Sequence, residues 1–387
     1  MRILIVYDCL FPYTIGGGER WYRNLAERLT AEGHEVTYLT LRQWDRGARA
    51  DLPGVAVRTA GPRMALYADG RRKIAPPLVF GAGVLWHLLR RGRRYDVVHT
   101  ASFPFFSLLA AALVRPLHRY GLIVDWFELW SRAYWRDYLG AAGGRAGWAV
   151  QKLCLRVPQR AFTLAQATAA RLRAEGVHGD VEVLTGLQDV APATSAPHAA
   201  QPVVVFAGRH IPEKRVPALV HGFAALRERA PELRLVVYGD GPDRPEVLAL
   251  IESEGLGDVA SAPGFVAREE LEERLAGALC MVLPSRREGY GLVVVEASAR
   301  GVPSVVVADP DNAATELVDE GCNGFVAPSA SPQDIADAIL RVRAAGAPLR
   351  ASTAAWFERN RDRLSLTGSL DRVAAAYADP RRAIARS

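Results

Sequence analysis

The chain has 387 residues, half of them hydrophobic and 23% charged, which excludes a disordered or low-complexity protein and predicts two or three domains at roughly 150 residues each. Lys and Arg number 48 against 42 Asp and Glu, a formal net charge of +6; with no zinc-finger spacing, RNP-like aromatic string or helix-turn-helix signature, that modest excess argues against a nucleic-acid partner. The four cysteines, Cys9, Cys154, Cys280 and Cys322, stand far apart with no C-x-x-C pair, so neither a structural metal site nor a disulfide framework is expected, and a reducing cytoplasm fits.

The N-terminus, MRILIVYD, turns acidic at once and offers no small-residue cleavage site, so it reads as a first strand. A glycine-rich turn (TIGGGER) follows, then a helical pattern with Trp21, Leu25 and Leu29 on one face, stopped at Gly33. HEVTYLTL (34–41) is a second strand, so the chain opens with a βαβ unit and a parallel sheet is expected. Further strands are predicted at 55–59, 95–101 and 121–129, with apolar stretches between them. The longest apolar runs, 78–89 and 101–114, are shorter than the ~20 residues that a bilayer span needs. Residues 191–202 (APATSAPHAAQP) lack periodicity and read as a linker. After it, strands QPVVVFAGR, LRLVVYGDGP, VASAPGFV, CMVLPS and PSVVVAD alternate with helices of 10–15 residues, which predicts a second parallel α/β domain.

Gly16, Gly17 and Gly18 sit between the first strand and the first helix, where backbone N–H groups and the helix dipole attract anions. Three readings are open: dinucleotide binding, a turn needed only for chain reversal, and contact with an anion or diphosphate. The first lacks the G-x-G-x-x-G spacing and an acid after the second strand. In the second half, PSRREGYGLVVVEASARG places Glu288 on a loop after a strand and Glu296 one turn inside the next helix. Gly289 and Gly291 between them allow close backbone approach. Two carboxylates can accept hydrogen bonds from hydroxyls while the N–H groups hold an anion; both glutamates could equally be helix-start residues complementing the dipole. In FAGRHIPEKR, Arg209 and Lys214 lie on the loop after the first strand of this domain, as a diphosphate clamp or as solvated cations.

GRHIPEKR, YGDGPD (238–243), PGFV (263–266), the Glu288/Glu296 spacing and NGFVAP (323–328), with the N-terminal GGGER and GHEVTYLT, resemble glycosyltransferase family 4. The resemblance covers most of the chain and is looser between residues 50 and 190. It implies a GT-B fold, two Rossmann-like domains with parallel sheets facing across a cleft. The implied division is an acceptor-side domain at 1–190, a linker at 191–202, a nucleotide-sugar domain at 203–365 and a C-terminal helix at 366–387 packing back on the first domain. It also implies a retaining hexosyltransferase without metal or cofactor, using a nucleotide-diphosphate sugar as donor. By the same resemblance Arg209 and Lys214 hold the diphosphate, Glu288 the donor sugar and Glu296 the ribose. Tyr290, Gly291, Leu292 and Val293 supply backbone contacts, Phe265 and Val266 border the base, and Gly16 and Gly17 face the diphosphate.

One departure stands out. Where family members often carry a histidine, VDWFELW (124–130) has none. Asp125 and Glu128 are the polar groups left there, and His99, at the end of the preceding predicted strand, is the nearest histidine; a structural role is open for it. The aromatic run WFELWSRAYWRDYLG (126–140) is the expected acceptor wall, for a glycan, lipid-linked or small-molecule acceptor. Residues 1–200 hold 26 Lys and Arg against 16 Asp and Glu. Arg71-Arg72-Lys73 and Arg90 to Arg94 flank an apolar stretch, so the first half suits an anionic acceptor or the inner face of a membrane, unless these are simply solvated faces. Two rivals are a nucleotide-sugar epimerase on the same fold and a catalytically weak nucleotide-sugar-binding homologue.

Overall fold

The computed structural model describes residues 1–14, 16–45, 47–68, 71–187, 189–190 and 200–378. The chain divides into two compact units. One runs over Met1–Leu187 and takes up the C-terminal segment from Leu366; the other is Gln188–Ser365. Most of the expected 191–202 linker lies outside the described residues.

In chain order the first unit comprises β1 (Arg2–Val6), α1 (Gly17–Ala31), β2 (Glu35–Leu41), β3 (Ala56–Gly61), β4 (Tyr67–Ala68), β5 (Arg71–Arg72), α2 (Ala75–Arg91) and β6 (Val97–Ala101). It continues with α3 (Phe106–His118), β7 (Gly121–Trp126), α4 (Arg132–Leu155), β8 (Arg160–Thr163), α5 (Gln166–Ala174) and β9 (Val181–Val183). Seven strands form one parallel sheet in the order β3-β2-β1-β6-β7-β8-β9. The central strands RILIV, VVHTA and GLIVDW are almost wholly buried. A parallel sheet covered by helices on both faces requires such continuous apolar runs. α1 buries Trp21, Tyr22, Leu25, Ala26 and Leu29 against it, the expected stripe extended by its neighbours. β8 and β9 were not predicted from sequence. They have four and three residues, too few to show a period.

The second unit contains β10 (Val203–Ala207), α6 (Val216–Leu226), β11 (Arg234–Tyr238), α7 (Arg244–Ser253), β12 (Ala260–Gly264), α8 (Arg268–Gly277) and β13 (Cys280–Leu283). Then come β14 (Arg287–Glu288), α9 (Leu292–Ser298), β15 (Ser304–Val307), β16 (Asp311–Asn312), β17 (Gly324–Ala327) and α10 (Pro332–Asn360). The main sheet is parallel, in the order β12-β11-β10-β13-β15-β17. Strand order therefore reverses between β10 and β13, as it does between β1 and β6 in the first unit. In open α/β sheets ligands bind at the carboxyl ends of the strands flanking such a reversal.

The last described helix, α11 (Leu366–Ala378), returns to the first unit. Arg28 pairs with Asp371 at 2.7 Å, the Gly186 N–H donates to Ser369 Oγ at 3.0 Å, and Val373, Ala376 and Tyr377 are buried. Among the described residues no helix is long and apolar enough to cross a membrane.

Candidate active site

At the strand reversal of the second unit, two loops converge. One follows β10 and carries Arg209 and a short 3-10 turn, Pro212–Lys214; the other follows β13 and leads through β14 to α9. The structure joins two of the expected site residues directly: the Lys214 ammonium and the Glu288 carboxylate form an ion pair, each side chain less than a fifth exposed. The Ser285 hydroxyl donates to the same carboxylate at 3.4 Å. Around this pair Arg215 meets Asp309 at 3.1 Å and Arg287 lies 3.9 Å from Glu213. These pairs tie the loop after β10 to the loop after β13 and to the segment after β15.

Sequence reading missed Asn312. Its buried amide donates to the carbonyls of Ser285, at 3.0 Å, and Val307, at 2.8 Å, while its oxygen accepts from the Ala314 N–H at 3.1 Å. β16, with Asn312 at its end, pairs in parallel with β14, Asn312 opposite Glu288. Asn312 thus ties the loop that carries Glu288 to the end of β15. Its signal was present: Asn preceding an Ala-Ala-Thr-Glu run is a good helix N-cap, and it caps the 3-10 turn Ala313–Leu317.

Gly291 is the N-cap of α9 at φ 98°, the left-handed region, and a Cβ there would lie 2.5 Å from the Ala314 Cβ. Any side chain is therefore both strained and sterically blocked. Gly291→Ala is expected to cost about 1–3 kcal/mol of stability and to weaken nucleotide binding, both read from thermal melts with and without nucleoside diphosphate. A wild-type melt and shift would remove the requirement for glycine here. After Gly291, Leu292 and Val293 are half-buried at the start of α9, where first-turn N–H groups have no carbonyl within the helix. Tyr290 is buried, and desolvation holds its phenol well above its ordinary pKa. Glu296 is half-buried one turn into α9, and its carbonyl accepts from Arg300 at 2.8 Å.

Arg209 is exposed on the loop after β10. The residue after it, His210, is wholly buried, and desolvation lowers the pKa of its ring. Its N–H donates to the Asp240 carbonyl at 2.9 Å and its carbonyl accepts from Asp243 at 3.0 Å. These bonds set the loop against YGDGPD, where Gly241, at φ 156°, leaves room for the His210 carbonyl. Phe265 is 75% exposed just beyond β12, with Val266 half-buried beside it.

In the first unit the glycine turn is not a strained one. Gly16 is extended at φ −170°, and a Cβ on Gly17 would meet nothing within 4 Å among the described residues. Neither glycine is demanded by backbone conformation, and the space over Gly17 is open. Glu19 folds back beside Gly16, and burial raises its carboxyl pKa.

The two other candidates of the catalytic group, Asp125 and His99, lie in the core of the first unit. Asp125 is 2% exposed and His99 wholly buried. The Trp21 indole N–H donates to Asp125 Oδ2 at 2.8 Å, His99 Nε2 lies 3.0 Å from Asp125 Oδ1, and His99 Nδ1 lies 2.6 Å from the Tyr377 hydroxyl. Their polar atoms hold α1 and α11 to the sheet. The expected aromatic wall is also partly core. Trp126 and Trp135 are buried with their indoles bonded to Gln159 and Gln151 at 2.8 and 3.1 Å. Trp130 and Tyr138 keep part of their surface, their rings 5.2 Å apart, and Trp130 donates to Glu128 at 2.9 Å. Arg72, expected either to meet anionic headgroups or to lie on a solvated face, pairs with the buried Asp8 and lies over the Phe103 ring at 4.7 Å.

Two family models match consecutive stretches of the chain: Glycosyltransferase Family 4 over residues 15–186 and Glycosyl transferases group 1 over residues 190–354. The alpha-D-kanosaminyltransferase of Streptomyces kanamyceticus is 33% identical over 142 residues, 37% of this chain and 36% of that protein. The chain thus matches about a third of the length of its first curated relatives. Sucrose-phosphate synthase from Thermosynechococcus elongatus has a TM-score of 0.76 at 20% identity, over 97% of this chain and 98% of that one. HepE from Anabaena, solved with UDP and glucose, gives 0.70 at 17% identity, over 98% and 99%. At these identities the solved structures speak for the fold, a pair of parallel-sheet α/β units of GT-B type. With both family models matched in order along that fold, the chain belongs to the family 4, group 1 glycosyltransferases.

Proposed function

We propose that the protein is a retaining, metal-independent hexosyltransferase of the cytoplasm. It moves a hexose from a nucleotide-diphosphate sugar to a hydroxyl of a glycan, a lipid-linked glycan or a small molecule. The observation that carries this reading is the Lys214–Glu288 pair at the strand reversal of the second unit. A cation and a carboxylate set side by side suit a ligand that brings both an anion and hydroxyls. On binding, the diphosphate takes Lys214 and Arg209, and the sugar hydroxyls take Glu288. As the bond from the anomeric carbon to the phosphate oxygen breaks, negative charge grows on the leaving diphosphate, and cations already in place stabilise it more than they stabilise the ground state. The sugar becomes oxocarbenium-like. The acceptor oxygen attacks from the face the diphosphate is leaving, and its proton passes to a phosphate oxygen, so the reaction calls for no protein nucleophile. Gly16 and Gly17 contribute open backbone to the diphosphate, Glu296 takes the ribose hydroxyls, and Phe265 and Val266 border the base.

A thermal-shift screen of UDP, GDP, ADP and dTDP tests this, since a ligand that binds only the folded state raises the melting temperature. One of the four is expected to stabilise the protein. Lys214→Ala should weaken that nucleotide by about 10–100-fold, the worth of one charge-assisted hydrogen bond, and Arg209→Ala by somewhat less because it is exposed. Titration calorimetry showing wild-type affinity in both variants would remove the diphosphate clamp.

A further inference from the structure

α2 and α3 are apolar on the side that faces away from the protein as well as on the side that faces the sheet. Inward, Phe80, Val84 and Leu88 of α2 and Leu108, Ala111 and Val114 of α3 join one core cluster with the sheet. Outward, Ile74 at the N-cap and Leu78, Trp86 and Leu89 within α2 recur at helical spacing, with Leu113 and Leu117 on α3. Trp86 is 57% and Leu113 69% exposed, and these six are half of the twelve large hydrophobics exposed among the described residues. A helix lying on a water-facing sheet carries polar side chains at such positions. An apolar concentration of this kind marks a contact surface.

The two helices form one face. Gly81 lies against Phe106, where an added Cβ would come within 2.5 Å of the phenylalanine Cβ, and Gly92 lies against His118. The middle of α2 meets the start of α3 and the two ends meet each other, so α2 and α3 run side by side in one direction. Their C-terminal halves hold Trp86, Leu89, Leu113 and Leu117. Arg90, Arg93, Arg94 and Arg119 are exposed at their ends, the Arg90 guanidinium 3.8 Å above the Trp86 ring. Across residues 73–124 the only acid is Asp96, held by Arg2 at 2.8 Å. The face is therefore an apolar plateau rimmed by arginines, and neither of its two helices carries an acid.

We infer that this face docks the protein on an anionic lipid bilayer. The leucines and Trp86 enter the boundary between headgroups and acyl chains, and the arginines pair with lipid phosphates. Charge selects this occupant: a second copy would bring the same cations against each other, at a cost, whereas an anionic surface neutralises them and accepts the apolar side chains in one step.

The test is co-sedimentation of the full chain with phosphatidylcholine vesicles, with and without phosphatidylglycerol. Binding is expected to the phosphatidylglycerol vesicles and to fall as salt rises. The triple variant Arg90→Glu/Arg93→Glu/Arg94→Glu should bind at least about tenfold more weakly, and Trp86→Ser/Leu117→Ser about tenfold more weakly. Both should keep the wild-type melt and nucleotide shift, since none of these residues lies in the donor site. Should the triple variant fail to fold, the double variant carries the test alone. No vesicle binding, or equal binding to both kinds of vesicle, overturns the inference. So does a dimer in light scattering that Trp86→Ser/Leu117→Ser dissociates, which would make the face a contact between copies. Vesicle binding needs no nucleotide, so this result and the donor assignment stand or fall separately.

Discussion

Glu288→Gln is expected to reduce sugar transfer by roughly 10²–10³-fold, the usual effect of removing one transition-state contact, while the protein stays folded. Glutamine keeps the size of the side chain and can still accept from Ser285, but it no longer balances Lys214. Leaving that half-buried ammonium without its counter-ion costs about 1–3 kcal/mol, which lowers the melting temperature by a few degrees in a unit of this size. The double variant Glu288→Gln/Lys214→Met removes both charges. It should recover most of the lost stability without recovering activity, because the two losses have different causes. Turnover near that of the wild type in Glu288→Gln would sink the assignment of Glu288.

Asp125→Ala is expected to act on stability first. The carboxylate accepts from the Trp21 indole and stands against His99, both buried. Its removal strips the Trp21 N–H and His99 Nε2 of the group they face in the core, while His99 Nδ1 keeps the Tyr377 hydroxyl. Breaking such a buried polar network costs about 3–5 kcal/mol, or roughly 6–20 °C in the melting of the first unit. Any fall in activity should follow the folded fraction and disappear at temperatures well below the melt. A variant with an unaltered melt and no activity would return Asp125 to the catalytic machinery.

The strands with long β-branched runs were legible in the sequence because a parallel sheet buried on both faces leaves them little but apolar residues. RILIV, VVVFA and SVVV are of this kind. The loops after β10 and β13 were legible for a different reason: charged and glycine-rich loops directly after such strands stand at the carboxyl edge of the sheet. What the sequence did not disclose was pairing. Lys214 and Glu288 are 74 residues apart, and Asn312 reaches back 27 residues to Ser285; only the adjacency of β10, β13 and β15 brings them together. The fate of Asp125 was hidden in the same way. An acid at a strand end points as readily to catalysis as to a core tie, and the partners that reveal the tie are Trp21, 104 residues before it, and His99, itself met by Tyr377 from 278 residues further on. The apolar stretch between the two basic clusters was legible, but not which of its side chains face outward, because a buried and an exposed leucine look alike in a sequence.

The return of α11 to the first unit sets an order on the birth of the molecule. His99 is 278 residues from the tyrosine whose hydroxyl meets it. During synthesis, at about 5–20 residues per second, the first sheet must wait for the whole second unit to be made before its last helix leaves the ribosome. Through that interval the surface that later receives Leu370, Val373 and Tyr377 is uncovered, while Gln188–Ser365 can close on its own as an uninterrupted stretch of chain. A ribosome that stops short of residue 366 therefore releases one complete unit and one unfinished one, so the first unit matures only once α11 has been made.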